Sequence, residues 1–407
     1  MKQLIDFDEI VDRSGTWSLK WDRLKPSENN KEVLPFWVAD MDFSSPPEVI
    51  SALRDRVEKK IFGYTDVPAE YISILKNWYK TRYDAYVDSE SILIGSGIVP
   101  SLGVIIRSLS DPGDGVLVMT PVYYPFYDII KDNDRCVVDC PLDFYDGRYN
   151  FNIITAEGVL KNAEAEGINT KIIILCSPHN PGGTVWSLSE LKQINDFAVR
   201  NGIMLVSDEI HGDIICGRNK FISLSSVSDS VIVISGPNKS FNTAGLHISH
   251  FIISDEKIRN RIKRGISATG FSQPNVLSLS AAMTSYSCCA DWLDALVSYL
   301  RTNLDYAVDY INREIEGATA FYPEGTYLIW VDVSELMKRM KINSDHELVK
   351  LLEKDASVKF TPGSVFGRGG LNFIRINAAC PLSMLKTGLA RFSSRVRNNE
   401  NNNKKGC

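Results

Sequence analysis

The chain has 407 residues, of which 44% are hydrophobic and 23% are charged, and this composition excludes an intrinsically disordered protein. Its 45 Lys and Arg residues are outnumbered by 50 Asp and Glu residues, which gives a net charge of −5. Without a basic excess, binding to nucleic acid through phosphate contacts is not expected. The length predicts about two to four compact units, and small molecules or proteins are the expected partners.

The sequence also indicates where the protein works. Residues 1–9 include acids where a secretion signal needs an apolar run, and no apolar stretch is long enough to cross a bilayer. The eight cysteines are scattered without a C-x-x-C pair, which favours free thiols over disulfides or a zinc site. We therefore predict a soluble, cytoplasmic protein without a metal site or a membrane partner.

Short β-branched runs alternate with segments of helical periodicity between about residues 90 and 255. This alternation predicts an α/β domain with a mostly parallel sheet wrapped by helices. The clearest helix follows Trp186, because Ser187 and Glu190 form a capping box. The predicted strands are Gly115–Met119, Lys171–Cys176, Ile203–Ser207, Val231–Ser235 and Ser249–Ile253.

A smaller α+β unit is predicted after this region. It begins with a long helix from Asp291 to about Glu316, and the N-terminal residues are expected to join it. Its other predicted elements are strands at 325–331, 358–363 and 372–376 and a helix at 345–355. The predicted division is a small domain from residues 1–48 and 290–395, a large domain at 49–289 and a disordered tail at 396–407.

Ligands of open parallel sheets bind beyond the carboxyl ends of the strands, and five turns there carry polar or reactive groups. The first turn, Gly95–Ser101, opens a helix, so its free N–H groups and the helix dipole can cradle a phosphate. It matches neither glycine-rich nucleotide motif, and alone it is also an ordinary turn. The second turn, Met119–Phe126, holds Tyr123 and Tyr124 between prolines, where a ring can stack on a flat ligand or pack in the core.

The next two turns supply an amide and an acid. Asn180 lies in Cys176–Thr184, a sequence that any tight loop also uses. Asp208 ends a fully apolar strand in Val206–His211. A buried carboxylate at such a place is costly unless it faces a cation, so Asp208 requires a positive partner.

The fifth turn, Ser235–His247, carries Lys239 just beyond a buried strand. A desolvated amine is a candidate Schiff-base lysine, although a single lysine is far more commonly a solvated surface charge. Together the five turns supply a phosphate cradle, an aromatic ring, an amide, an acid and an amine at one edge. This is the set that pyridoxal 5'-phosphate (PLP) requires for its phosphate, ring, ring nitrogen and aldehyde, and PLP is therefore the predicted cofactor.

Motifs in a fixed order extend this prediction over most of the chain. They are Phe7–Arg13, Trp37–Phe43, Phe62–Thr65, Thr120–Phe126, Ser177–Pro181, Ser207–His211, Pro323–Tyr327 and Arg375–Pro381. With them the chain resembles, over about residues 5–393, the fold-type I PLP-dependent enzymes of the class I/II aminotransferase superfamily. Within that superfamily it most resembles the cystathionine β-lyase (C–S lyase) branch, which implies an aspartate-aminotransferase-like fold.

The resemblance implies roles for individual residues around the cofactor. Lys239 matches the lysine that binds the cofactor aldehyde and later moves the α-proton of the substrate. Asp208 matches the acid that keeps the ring nitrogen protonated, and Tyr123 matches the residue that stacks on the ring. Asn180 and His211 match residues that hydrogen-bond the phenolic oxygen of the cofactor.

Further matches concern the phosphate, the substrate and a second subunit. The backbone amides near Gly97, Ile98 and Val99 match the phosphate cradle. Arg375 matches the arginine that grips the substrate α-carboxylate, a bidentate task suited to its planar fork. Tyr64 matches a residue that reaches the cofactor of the neighbouring subunit, which implies a homodimer with active sites at the interface.

Two residues depart from the broader superfamily pattern. His247 stands eight residues after the lysine, where many relatives have an arginine that holds the phosphate, and Asn238 replaces a small hydroxyl residue. We expect His247 either to contact the phosphate itself or to be replaced there by another group.

The reaction remains open on the residues alone, because lyases and transaminases share one Cα carbanion. The resemblance, together with the lack of an obvious second arginine motif for a dicarboxylate partner, favours β-elimination from S-substituted cysteines such as cystathionine. The alternative is an aminotransferase that uses the same Lys239, Asp208 and Arg375. A third hypothesis is a regulatory protein that binds a partner through its surface and keeps the enzyme site incidentally.

Overall fold

The computed structural model of the chain describes residues 5–24, 32–271 and 273–405, with side chains described as far as residue 398. The helices are α1 (Pro47–Glu58), α2 (Ala69–Trp78), α3 (Ile98–Leu109), α4 (Pro125–Lys131), α5 (Ile153–Ala165), α6 (Leu188–Arg200), α7 (Glu256–Ala268), α8 (Val276–Cys288), α9 (Ala290–Glu314), α10 (Ser334–Met340), α11 (Asp345–Leu351) and α12 (Leu382–Lys405). The strands are β1 (Leu34–Pro35), β2 (Ile92–Gly95), β3 (Gly115–Thr120), β4 (Cys136–Pro141), β5 (Asp143–Tyr145), β6 (Arg148–Asn150), β7 (Thr170–Cys176), β8 (Met204–Asp208), β9 (Val231–Ser235), β10 (Ser249–Ile253), β11 (Thr319–Phe321), β12 (Leu328–Asp332), β13 (Val358–Lys359), β14 (Thr361–Pro362) and β15 (Phe373–Asn377).

A seven-stranded sheet forms the centre of the fold, in the order β2-β10-β9-β8-β7-β3-β4. The strands from β9 to β4 are parallel, and β10 is antiparallel to both of its neighbours. The predicted α/β class with a mostly parallel sheet is therefore confirmed. The five predicted strands form β3, β7, β8, β9 and β10, each end lying within one residue of its predicted position.

Helices cover both faces of this sheet. Along β3, Val116 and Val118 join one hydrophobic cluster, while Leu117 and Met119 join another on the opposite face, as the two-residue period of a strand requires. A strand with two covered faces is expected to be mostly apolar, and every residue of β3, β9 and β10 is buried. The predicted capping box of α6 is present at its N-terminus.

A four-stranded antiparallel sheet in the order β11-β12-β15-β14 lies in the C-terminal part of the chain. The long helix α9 precedes it, close to the predicted bounds. The short strand β1 pairs in parallel with β13, so the chain before α1 lies beside the C-terminal elements. The predicted domain boundaries themselves stay a prediction.

Helix α12 is described as far as Lys405, and no glycine or proline interrupts residues 389–405. The disordered tail at 396–407 stays a prediction. The last two residues lie outside the described part. No helix of the described residues is long and apolar enough to cross a membrane. The cysteines described there are free, and Cys288 is exposed.

Candidate active site

A cavity of about 250 Å³ opens beyond the carboxyl ends of the central strands. Residues from all five of the turns singled out in the sequence line it. The predicted site residues along its wall are Gly97, Ile98, Val99, Tyr123, Asn180, Asp208, His211, Lys239 and His247. Arg375 and Tyr64 are not among the lining residues.

The topology of the sheet explains why these residues meet. Asp208 is the last residue of β8 and pairs in register with Cys176 at the end of β7. Tyr123, Asn180 and Lys239 follow the ends of β3, β7 and β9 by three or four residues. Because parallel strands end at the same edge, residues far apart in sequence converge there.

Lys239 is partly buried at the cavity wall, and its Nζ donates a hydrogen bond to the carbonyl oxygen of Ala39. Burial lowers the pKa of Lys239 to about 8, and Asp40 opposes this shift by favouring the charged amine. An amine with such a pKa loses its proton close to neutral pH. Lys239 therefore has the properties of a nucleophile and of a proton carrier.

Asp208 is buried, and its Oδ1 accepts a hydrogen bond from the Ile210 N–H at 3.1 Å. Burial raises the pKa of this carboxyl to about 7, whereas the Ile210 N–H and Lys239 act in the opposite direction. No ion pair to Asp208 is found within the described residues. A protonated ring nitrogen in the cavity would supply the positive partner that the sequence predicted for this acid.

This shift has a consequence for the cofactor-free protein. Because folding raises the pKa of Asp208 above its ordinary 3.8, its ionisation destabilises the fold as pH rises from that value to about 7. Asp208→Asn removes this cost. The free energy of unfolding of the cofactor-free variant minus that of the wild type should therefore increase as pH rises through this window. Denaturant titrations at several pH values measure it, with Asp229→Asn at an exposed acid as the control; a constant difference at all pH values contradicts the prediction.

His211 and Asn180 provide polar groups beside the acid and the amine. Burial lowers the pKa of His211 well below its usual range, and the positive charges of Lys239 and Arg375 lower it further. Its imidazole is therefore neutral. Its Nδ1 is buried and has no hydrogen-bond partner within the described residues. Buried polar atoms are almost always hydrogen-bonded, so an orphaned nitrogen beside the cavity fits a polar ligand there.

The N-terminus of α3 faces the same cavity. Gly97 precedes the helix with a φ of +105° and no side chain caps the first turn. Its own N–H already donates to Ser249 Oγ at 3.1 Å, so the free amides of the predicted cradle are those of Ile98 and Val99. A Cβ placed on Gly97 would lie 3.8 Å from His247 Nδ1. The imidazole is therefore close to the helix terminus and can contribute to an anion site there.

Arg375 lies on β15 in the other sheet and is 2% exposed. Its Nη1 donates to Asn180 Oδ1 and its Nη2 to the carbonyl of Trp37, both at 2.9 Å. The guanidinium lies over the Phe366 ring, 4.8 Å from the centroid. It thus adjoins the cavity through Asn180, and its Nε has no partner within the described residues.

Tyr64 is not brought to this cavity. Its side chain is fully exposed in the segment between α1 and α2. A residue that acts in a neighbouring subunit is expected to lie away from the cavity of its own chain. The role of Tyr64 stays a prediction.

Sequence reasoning missed Ala39, whose backbone oxygen accepts hydrogen bonds from both Lys239 and the Tyr327 hydroxyl. The motif Trp37–Phe43 was the available signal, but it entered only as part of the resemblance. A backbone acceptor leaves no mark on residue type, so only the coordinates reveal it.

Comparison with known proteins identifies the family of the chain. The profile of the family described as aminotransferase class I and II matches residues 31–392. Cystathionine beta-lyase PatB of Bacillus subtilis (strain 168) is 34% identical over 394 residues, covering 96% of this chain and 99% of the relative. The crystal structure of cystalysin from Treponema denticola, which contains a pyridoxal 5'-phosphate cofactor, has a TM-score of 0.91 at 33% identity and covers 97% of this chain and 100% of that one. A PLP-bound C–S lyase from Staphylococcus hominis gives a TM-score of 0.89 at 33% identity, with 97% and 99% covered. As its motifs predicted, the chain belongs to the aminotransferase class I and II family.

Proposed function

We propose that this protein is a PLP-dependent carbon–sulfur lyase that performs β-elimination on S-substituted cysteines such as cystathionine. The products are a thiol, pyruvate and ammonia. The observation that carries the proposal is one cavity that brings together an amine of lowered pKa, Lys239, and a buried acid, Asp208. The similarity to lyases along nearly the whole chain supports the choice of reaction.

The residues around the cavity fit PLP. When bound, the cofactor supplies an electron sink for the carbanion that forms at Cα of the substrate. The residues proposed to hold it are Lys239 at the aldehyde, Asp208 at the ring nitrogen, Tyr123 on the ring, Asn180 and His211 at the phenolic oxygen, and Ile98, Val99 and His247 at the phosphate.

The protein's own groups then perform binding and proton transfer. Arg375 binds the substrate carboxylate through its fork, which Phe366 and the Trp37 carbonyl hold in place. The Lys239 amine accepts the proton from Cα, which is the task of a base whose pKa lies near the working pH. The Cβ–S bond breaks as the Cα–Cβ double bond forms, and the thiolate takes up a proton. The released enamine is hydrolysed to pyruvate and ammonia.

Product analysis tests the proposed function. The purified protein with PLP and cystathionine should release homocysteine and pyruvate in equal amounts, measured by thiol titration and a coupled pyruvate assay. Lys239→Ala is the control for pyruvate that arises without catalysis. If neither cystathionine nor any other cysteine S-conjugate yields pyruvate, the proposal is wrong.

Transamination is the second candidate, because the chain belongs to a family described as aminotransferases and holds the same lysine, acid and arginine. Its signature is conversion of the cofactor to pyridoxamine phosphate on addition of an amino acid, reversed by a 2-oxo acid. The similarity to lyases along nearly the whole chain favours elimination over this alternative. An absorbance titration with amino donors distinguishes the two reactions.

Arg375→Ala should raise the substrate KM by roughly 100-fold, because a desolvated charge-assisted contact is worth about 3 kcal/mol. The lysine and the acid remain, so kcat should fall much less. Steady-state kinetics with cystathionine measure both constants. Arg368→Ala, at an exposed position of the neighbouring loop, is the control, and an unchanged KM for Arg375→Ala would remove this arginine from the substrate site.

The working unit that we propose is a homodimer whose active sites lie at the subunit interface. Tyr64 is fully exposed, and the adjacent Ile61 and Phe62 are 73% and 59% exposed. An apolar segment presented in this way fits a surface covered by a second copy. The proposed compartment is the cytoplasm, with which the free cysteines are compatible.

Mixed dimers test whether Tyr64 acts across the interface. Tyr64→Ala and Lys239→Ala subunits should each be weakly active or inactive alone. A mixed dimer pairs the intact Lys239 of one subunit with the intact Tyr64 of the other, so one of its two sites is normal. Activity should therefore appear when the two variants are refolded together. If none appears although mixed dimers are isolated, Tyr64 does not serve the neighbouring site.

A further inference from the structure

The segment Trp37–Phe43, here called the strap, is held through its backbone by side chains from distant parts of the chain. Arg375 and Thr361 donate to the Trp37 carbonyl, Asn377 donates to those of Val38 and Asp40, Lys239 and Tyr327 donate to that of Ala39, and Asn242 donates to those of Met41 and Phe43. In this segment without helix or strand, six of the seven backbone carbonyls thereby accept a hydrogen bond from a side chain.

The strap connects the two groups on which the proposed reaction depends. Arg375 lies on the antiparallel sheet and Lys239 follows a strand of the central sheet. The arginine contacts the carbonyl of Trp37 and the lysine contacts the carbonyl of Ala39. Along the chain, only Val38 thus separates the anchor points of the carboxylate-binding group and the proton carrier.

The strap is also held through its own acids. Lys20 and Arg13 pair with Asp42 and Asp40, and these four side chains are here called the charge cluster. Lys20 Nζ lies 2.6 Å from Asp42 Oδ2, and Arg13 lies 2.7 Å from both Asp42 Oδ1 and Asp40 Oδ2. The side chains of Lys20 and Asp42 are 1% and 4% exposed. Lys20 also donates to the Asp40 carbonyl at 3.1 Å, and the indole N–H of Trp21 donates to Asp42 at 2.9 Å.

Burying such a cluster has a large desolvation cost, so stability alone does not account for it. An ion pair does, however, define one geometry, whereas an apolar contact allows several. Asp42 and Asp40 of the strap accept hydrogen bonds from Lys20 and Arg13, which lie at least twenty residues earlier in the chain. The anchor points, the carbonyls of Trp37 and Ala39, precede these two acids in the strap.

We propose that the charge cluster is a positioning device: Lys20 and Arg13 fix the strap through Asp42 and Asp40, and the strap sets Lys239 relative to Arg375. The inference rests on the proposed function for the roles of Lys239 and Arg375. None of the four residues of the cluster is assigned a contact with the substrate.

The charges around Lys239 support this role. The charged groups that act on its amine are Asp40 and Lys20 from the cluster, Arg375 from β15 and Asp208 from β8, and the titratable neighbours are His211, Tyr123 and Tyr327. Asp40 raises the pKa of Lys239 and Lys20 lowers it. Removing Asp40 and removing Lys20 should therefore shift the pKa of Lys239 in opposite directions. A general loss of stability would not produce such opposite shifts.

The first measurement uses the cofactor-free protein. Acetylation of Lys239 is followed by mass spectrometry as a function of pH in Lys20→Met, Lys20→Arg and Asp40→Asn. Lys20→Met should move the midpoint to higher pH, Lys20→Arg should restore it, and Asp40→Asn should move it to lower pH. Arg395→Met is the matched control, because it removes a partly buried cation, 2.8 Å from Asp355, that lies on α12.

The second measurement uses the enzyme with PLP. A displaced strap moves both anchor points, so Lys20→Met should lower kcat/KM by roughly 100-fold, with a higher KM and a lower kcat, and Lys20→Arg should recover most of it. If Lys20→Met does not fold, Trp21→Phe, which removes only the indole donor to Asp42, should lower kcat/KM severalfold.

Two results overturn the proposal. One is an unchanged acetylation midpoint together with kcat/KM within twofold of wild type in the folded Lys20→Met or Trp21→Phe protein. The other is an equal change in Arg395→Met, which would assign the effect to general stability. Failure of the proposed function is seen separately, because the wild type would then release no pyruvate whatever the strap does.

Discussion

Lys239→Ala should abolish turnover and remove the absorption band that PLP owes to its bond with the lysine. The substitution deletes the proposed nucleophile for the aldehyde and the proposed base for the α-proton, two tasks that we assign to one amine with a pKa of about 8. Loss of general base catalysis alone accounts for as much as roughly 10⁴-fold in rate. The decrease in kcat should reach at least that size.

Absorbance spectra and pyruvate release measure this outcome. Lys257→Ala, at an exposed position of α7, is the matched control and should keep both the band and the rate. The unfolding temperature of the cofactor-free variant should stay near that of the wild type, because within the described part of the chain the Lys239 amine donates to a single carbonyl, that of Ala39. Normal turnover of Lys239→Ala would contradict the cofactor assignment as a whole.

Asp208→Asn should lower kcat by roughly 10³-fold, a size typical of losing one group aimed at a developing charge. In the proposed mechanism its carboxylate keeps a proton on the ring nitrogen of the cofactor, and without that proton the carbanion would be poorly stabilised. Asparagine fills the same space and leaves the Ile210 N–H with an acceptor. The loss should therefore appear in kcat while the protein remains folded and binds PLP.

The adjacent Glu209 offers a closely matched control. It is equally buried, and burial raises its pKa to about 7 as well. Its Oε1 accepts from Ser207 and from the Leu224 N–H, not from groups at the cavity. Glu209→Gln should thus change stability but leave kcat within a few-fold. An equal loss of kcat in both variants would show that Asp208 acts only through the fold.

Five strands of the central sheet were predictable because each contains an apolar run between turn residues. The ends of β9 and β10 match their predicted positions, and the turn residues that follow such strands reach one edge by topology alone. That is why Tyr123, Asn180, Asp208 and Lys239 could be placed together from their positions in the sequence, although their proposed roles await the kinetic tests.

Other features depend on contacts between residues far apart in sequence. The bond from Arg375 to the Trp37 carbonyl spans 338 positions, and no pattern of residue types predicts a backbone acceptor. The bond from the Gly97 N–H to Ser249 Oγ also joins distant residues, and it withdraws one amide from the predicted phosphate cradle. Lys20 looks like any surface lysine in the sequence, yet its side chain is 1% exposed.

The sequence by itself therefore determined the fold class, the family, the cofactor and the turns that line the cavity. Hydrophobic periodicity and residue type encode these features locally, and strand topology then brings them to one edge. Only the tertiary structure decided which amides are free for an anion, how Arg375 is held and which charges surround Lys239. Burial and pairing set the electrostatics of a site, and both arise only when distant segments pack against each other.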